Sequence, residues 1–134
     1  MRSGGINWIA VLAAAIAIYA IGFIIYALAI PEESWMAMSG ISEAQKEVAM
    51  SRMVFSPVMP ILTALFLAVL FKWGQVGSLS TGMQWAAVVA LASAIPTILY
   101  AWVYGGGTTE MAMVDGGHLL LGHVTAGAIL GGWR

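Results

Sequence analysis

The sequence contains no cysteine, which removes disulfides, thiolate metal sites and thiol nucleophiles together. The usual clue to redox compartment goes with them. Charge is nearly as scarce, with Asp, Glu, Lys and Arg making up 8% of 134 residues, against about 25% in soluble domains. Five basic and six acidic residues leave a formal net charge of −1. No basic cluster is able to neutralise a run of phosphates, so nucleic acid is not an expected partner. Neither a composition shift nor a repeat marks a second domain. What fills the chain is apolar: 61% is hydrophobic, so its solvent must be partly lipid, and the bilayer is the first partner implied.

A spanning helix needs about 20 apolar residues. Residues 6–30, 53–73, 83–104 and 111–133 meet that requirement, separated by segments rich in charge or turn formers. The expectation is an all-α integral membrane bundle of four transmembrane helices, forming a single domain over residues 1–134. "MRSGG" followed by an apolar run and "ALA" resembles a cleavable signal. The run exceeds the roughly 7–15 residues usual for one, and the segment reads as a retained span.

The first loop contains "SEAQKEVAMSRM". Ser42 is placed to cap a helix and Gln45 to complete a capping box, which predicts a short extramembrane helix. That helix runs toward Pro57 and Pro60, whose missing donors predict a bend into the second span, and Pro96 predicts a kink in the third. These prolines read as packing devices or as a gating hinge.

Tryptophan and tyrosine favour membrane interfaces. Trp8, Trp73, Trp85 and Trp133 fall at one end of the four spans, and Tyr26, Trp35, Trp102 and Tyr104 at the other, leaving Tyr19 near the middle. Arg2, Lys72 and Arg134 lie with the termini, Lys46 and Arg52 opposite, and all six acids on that opposite side. The basic excess points to both termini being cytoplasmic. The expected location is a bacterial inner (cytoplasmic) membrane.

"VDGGHLLLGH" sets an aspartate and two histidines inside the last span. On a helix, Asp115, His118 and Gly122 share one face, while His123 projects about 140° from His118. The two histidines therefore cannot chelate one metal within this helix, and the segment alone is neither a zinc nor a haem site. In the third span Ser93, Thr97, Tyr100 and Tyr104 form a hydroxyl stripe. A short "GGGTTE" connection predicts an antiparallel hairpin, placing Tyr100 opposite Asp115, Thr97 opposite His118 and Ser93 beside Gly122. Polar groups in hydrocarbon must face protein or water. The seam reads either as structural, fixing helix register through hydrogen bonds, or as functional, relaying protons or binding a small substrate.

Met36, Met38, Met111 and Met113 form two Met-x-Met pairs on the same side. Thioethers favour copper(I), but methionine is equally a packing residue. No cofactor or metal is predicted, and copper and haem stay open. Gly127 with Gly131 makes a GxxxG, and Ala13 with Ala17 and Ala86 with Ala90 repeat the spacing that lets helices approach in lipid. Lying off the Asp115 face, Gly127 and Gly131 are candidates for a second protomer or a larger partner.

"INWIAVL" and "GFIIY" in the first span, Trp35 with "GIS" after it, and "DGGHLL" with "GAILG" in the last resemble the domain of unknown function 1761 family. Asn7, Trp8, Gly22, Tyr26, Trp35 and His118 are the positions that match its pattern, and His123 does not. Gly22 thereby joins the small packing or partner positions. The resemblance implies a small four-span membrane protein and brings no activity with it.

Two functional classes remain. One is a non-enzymatic structural or accessory protein, either a homo-oligomer or a subunit of a larger membrane complex. The other is a small transporter, channel or proton-coupled carrier using the seam. An enzyme is not expected, because no nucleophile–base constellation appears beyond a lone Asp-x-x-His.

Overall fold

The computed structural model describes residues 2–133, with side chains from Gly4 to Trp133. Arg134 and the Arg2 side chain, both counted in the charge comparison above, lie outside that description. A two-residue antiparallel pairing of β1 (Arg2–Ser3) with β2 (Ile6–Asn7) opens the chain. All else of regular structure is helical: α1 (Trp8–Phe23), α2 (Glu32–Ser39), α3 (Glu43–Arg52), α4 (Val58–Trp73), α5 (Leu79–Val89), α6 (Ile95–Gly105) and α7 (Thr109–Gly132), with short π and 3-10 turns between some of them.

Among the described residues, two helices are long and apolar enough to cross a membrane. They are Trp8–Ala29 with 22 residues and Leu79–Gly105 with 27. A third crossing is available if Glu43–Phe55 and Val58–Trp73, bent by 45°, form one span. That bend falls at Pro57 and Pro60, as the missing amide donors require. The capping box also forms: Ser42 Oγ accepts from Gln45 N at 3.3 Å, and Ser42 N donates to Gln45 Oε1 at 2.8 Å. Helix α2 was not anticipated. It starts directly after Pro31, carries Glu32 and Glu33 in its first turn where the helix dipole favours anions, and ends at Gly40 in the left-handed region (φ 67).

Both long helices widen to a π turn just before a proline. Ile30 N–H reaches back to Ile25 O ahead of Pro31, and Ile95 N–H to Ala90 O ahead of Pro96. Proline cannot donate, and it pushes the preceding residue away from helical geometry. Ile30 is accordingly extended, whereas Ile95 keeps helical geometry (φ −64, ψ −48) and the chain continues into α6.

Helix α7, 24 residues long, sits at the centre and packs on α5, α1, α4 and α6. The core is built largely from small residues at helical spacing. Ala10, Ala14 and Ile18 line α1, Gly82, Ala86 and Ala90 line the next long helix, and Ala126 and Leu130 line α7. In lipid such residues allow backbones to approach and gain dispersion contact. The buried small pair of α1 is Ala10 and Ala14, one face over from the half-buried Ala13 and Ala17.

Candidate functional site

The face of α7 bearing Asp115, His118 and Gly122 meets α1. The Tyr26 hydroxyl donates to Asp115 Oδ1 at 2.5 Å. One turn along, Gly22 lies so close to His118 that an added Cβ would stand 3.0 Å from Nε2. A further turn on, Gly122 faces Ile18, with an added Cβ at 3.4 Å from Ile18 Cγ2. At the far end Asn7 Nδ2 donates to the Trp133 carbonyl at 3.1 Å. Stepping from Tyr26 in the π turn down through Gly22 and Ile18 of α1 to its N-cap Asn7 thus steps up from Asp115 in α7 to Trp133 at its C-cap, which defines an antiparallel pair in continuous register.

Tyr26 serves both polar residues of this face. Its hydroxyl holds Asp115, and its ring meets the His118 imidazole edge-on, with centroids 5.2 Å apart and planes at 89°. Such T-shaped pairs contribute about 0.5–1.5 kcal/mol beyond burial. His118 Nε2 is buried and makes no hydrogen bond of normal geometry, although the Ile18 main chain is near enough to act on the ring. Tyr26 itself lies in the π turn Ile24–Ala29, and such turns recur at functional sites.

The structure corrects the expected partner of Asp115. The third-span stripe does not reach it. Tyr100 and Tyr104 are 69% and 74% exposed and pack against each other. Ser93 Oγ and Thr97 Oγ1 donate to the Val89 and Ser93 carbonyls of their own helix. Small residues explain the difference. Gly82 and Ala86 draw α5 onto Gly127, where an added Cβ would lie 2.3 Å from Gly82 O, and the π turn before Pro96 then turns α6 so that none of its residues is buried. Helix α6 stays beside α7, with Ile95 packed over Gly116.

The same packing corrects the reading of Gly127 and Gly131 as surfaces left for a partner. Both are buried inside the chain against Gly82 and Ser78. His123 does point away from the Asp115 face, but it is 9% exposed, with Nδ1–H donating to Leu119 O at 2.7 Å. It is a core residue.

The remaining residues sort by end. Contacts of Asn7 with Trp133, Gly5 with Lys72 and Gly74 with Trp85 gather Trp8, Trp73, Trp85 and Trp133 at one end of the molecule. At the other, the Thr108 hydroxyl donates to Met38 O at 2.6 Å while accepting from Met111 N, tying α2 to the start of α7. Half-buried Trp35 lies in α2, and Trp102 is exposed on α6. Met113 is exposed, Met36, Met38 and Met111 are half-buried, and no group of three His, Asp or Glu side chains suited to a metal occurs among the described residues.

Sequence reasoning had Tyr26 only as an interface anchor and Gly22 only as a packing position. The signal was present in the resemblance, since Gly22, Tyr26 and His118 were matched together and these three converge in space. A family model described as "Protein of unknown function (DUF1761)" matches residues 9–131. No curated protein matches the chain, and no solved structure does.

Proposed function

The chain belongs to the DUF1761 family, and from that footing we propose that it is a non-enzymatic integral membrane protein of four spans, acting as a structural or accessory component that self-associates or joins a larger membrane assembly. Helix α7 is the fourth span in this reading. Its Asp115, His118, His123 and glycines dilute its apolar character, but the Asp115 face is turned to α1, away from lipid. The location proposed is a bacterial inner membrane with both termini cytoplasmic, supported by Lys72 at the terminal end and the acids at the other.

The observation that carries the structural reading is the Tyr26–Asp115 bond with His118 seated on Gly22. Asp115 and His118 of α7 are used to clasp the first span to the last. Mild-detergent purification with mass determination tests it. A defined oligomer or a stoichiometric partner, unchanged in Asp115→Asn, is the expected result.

A carrier reading has one observation in its favour, the buried His118 Nε2 without a regular hydrogen bond beside Asp115. A monomer that moves protons across reconstituted vesicles, and stops in a folded Asp115→Asn variant, establishes that reading and overturns the structural one.

A further inference from the structure

At the end of the molecule opposite Asp115, a cavity of about 30 Å³ opens where α1, α4 and α7 converge, with Gly5, Asn7, Ala10, Ala68, Lys72 and Trp133 among its walls. The two alanines leave the space. The tight reversal at Gly4 and Gly5 (φ 59 and 78) brings the chain over Lys72, so that an added Cβ on Gly5 would lie 3.5 Å from Lys72 Cε. The lysine stem is thereby laid along the rim. Asn7 and Trp133, joined by their hydrogen bond, close the opposite wall.

Among the described side chains, charge at this end has one sign. Glu32, Glu33, Glu43 and Glu47 lie in α2 and α3, and Glu110 and Asp115 in the first half of α7, all away from the cavity. Among the described residues Lys72 makes no ion pair with a carboxylate, whereas Lys46 at the other end pairs with Glu32 and Glu43. The neighbouring Trp8, Trp73 and Trp133 are residues of the water–lipid boundary, which sets the cavity at headgroup depth. Basic pockets between spanning helices are suited to anionic headgroups.

We propose that this cavity binds the phosphate of an anionic phospholipid headgroup, with Lys72 as the counter-charge. A space of this size admits one or two water-sized groups, which suits phosphate oxygens and excludes a whole nucleotide or sugar. No acidic side chain among the described residues stands near to receive the ammonium of a zwitterionic lipid, so the site discriminates by net charge. The inference rests on the membrane reading and not on the role of the Tyr26–Asp115 clasp.

The test is native mass spectrometry of the full chain in detergent, with phosphatidylglycerol or phosphatidylcholine added at equal concentration. Wild type retains phosphatidylglycerol preferentially. Lys72→Gln lowers that retention by about fivefold, the change expected for one headgroup-level charge. Lys72→Arg keeps it, and Lys46→Gln at the far end leaves it unchanged. Equal retention of the two lipids by wild type overturns the proposal, as does an equal loss in Lys46→Gln. Displacement of the lipid by inorganic phosphate at matched concentration overturns the lipid assignment in favour of a free-phosphate site. Asp115→Asn is included so that failure of the clasp, which leaves lipid retention intact, is told apart from failure of this site.

Discussion

Tyr26 and Asp115 lie 89 positions apart in sequence and meet at 2.5 Å between the first helix and the last. Tyr26→Phe keeps the ring against His118 and deletes only the donor, leaving a part-buried carboxylate unpartnered. Such a deletion costs about 1–3 kcal/mol, and the expected result is a lower midpoint in detergent unfolding. Asp115→Asn keeps an acceptor for the phenol and is expected to shift the midpoint less than Tyr26→Phe does.

Gly22 and His118 form the second contact of this register, and a methyl group at Gly22 changes sign with its neighbour. In the wild type the added Cβ meets Nε2 at 3.0 Å, so Gly22→Ala displaces the imidazole from Tyr26 and destabilises. In a His118→Ala background the obstacle is gone, and the substitution gains up to about 1 kcal/mol of helix propensity. A double-mutant cycle on unfolding free energy reads this reversal directly.

Gly127→Ala has no such escape, because its Cβ meets the Gly82 carbonyl at 2.3 Å and the Ala86 methyl at 2.5 Å. Helices α5 and α7 must separate, at an expected cost of about 3 kcal/mol. Gly116→Ala, whose nearest neighbour is the Ile95 methyl at 3.6 Å, is the control: with the contact ordinary, it is expected to be neutral or to stabilise by up to about 1 kcal/mol of helix propensity. Thermal unfolding of the two variants side by side makes the comparison.

Outside the spans, Lys46 bonds Glu32 and lies 3.6 Å from Glu43, linking α2 to α3. The hydrogen bond and charge of Lys46 hold the Glu32 carboxyl below its ordinary value of 4.5, and the bond to Glu32 raises the Lys46 ammonium. A depressed carboxyl stabilises above its unfolded value, and that support is lost as pH falls through the lower folded value. The raised lysine supplies support present below its unfolded value and lost as pH rises through the higher folded one. Amide exchange in α3, corrected for intrinsic rates, is therefore expected to quicken at both extremes in wild type. In Lys46→Gln it loses this pH dependence.

Much of the helical layout was legible in the chain. The apolar runs marked the helices, Ser42 and Gln45 marked the capping box, and Pro57 with Pro60 marked the bend. The polar face of α7 was legible too, because helical spacing alone sets Asp115, His118 and Gly122 together. Its partner was not. A short "GGGTTE" connection constrains where α7 begins but not how α6 is rotated, and that rotation is set by the π turn before Pro96 and by the close fit of Gly82 on Gly127. Loop length cannot report either feature. GxxxG spacing likewise marks a close approach without saying whether the partner is another chain or the next helix.

The chain has no cysteine of its own, so introduced pairs can be bridged without background. The most direct test of the α1–α7 clasp uses cysteines at Tyr26 and Asp115, compared with a pair at Tyr100 and Asp115, each treated in membranes with a short bifunctional thiol reagent. The clasp predicts an intramolecular bridge in the first pair and none in the second, because Tyr100 faces outward. A bridge between positions 100 and 115, with none between 26 and 115, would contradict it.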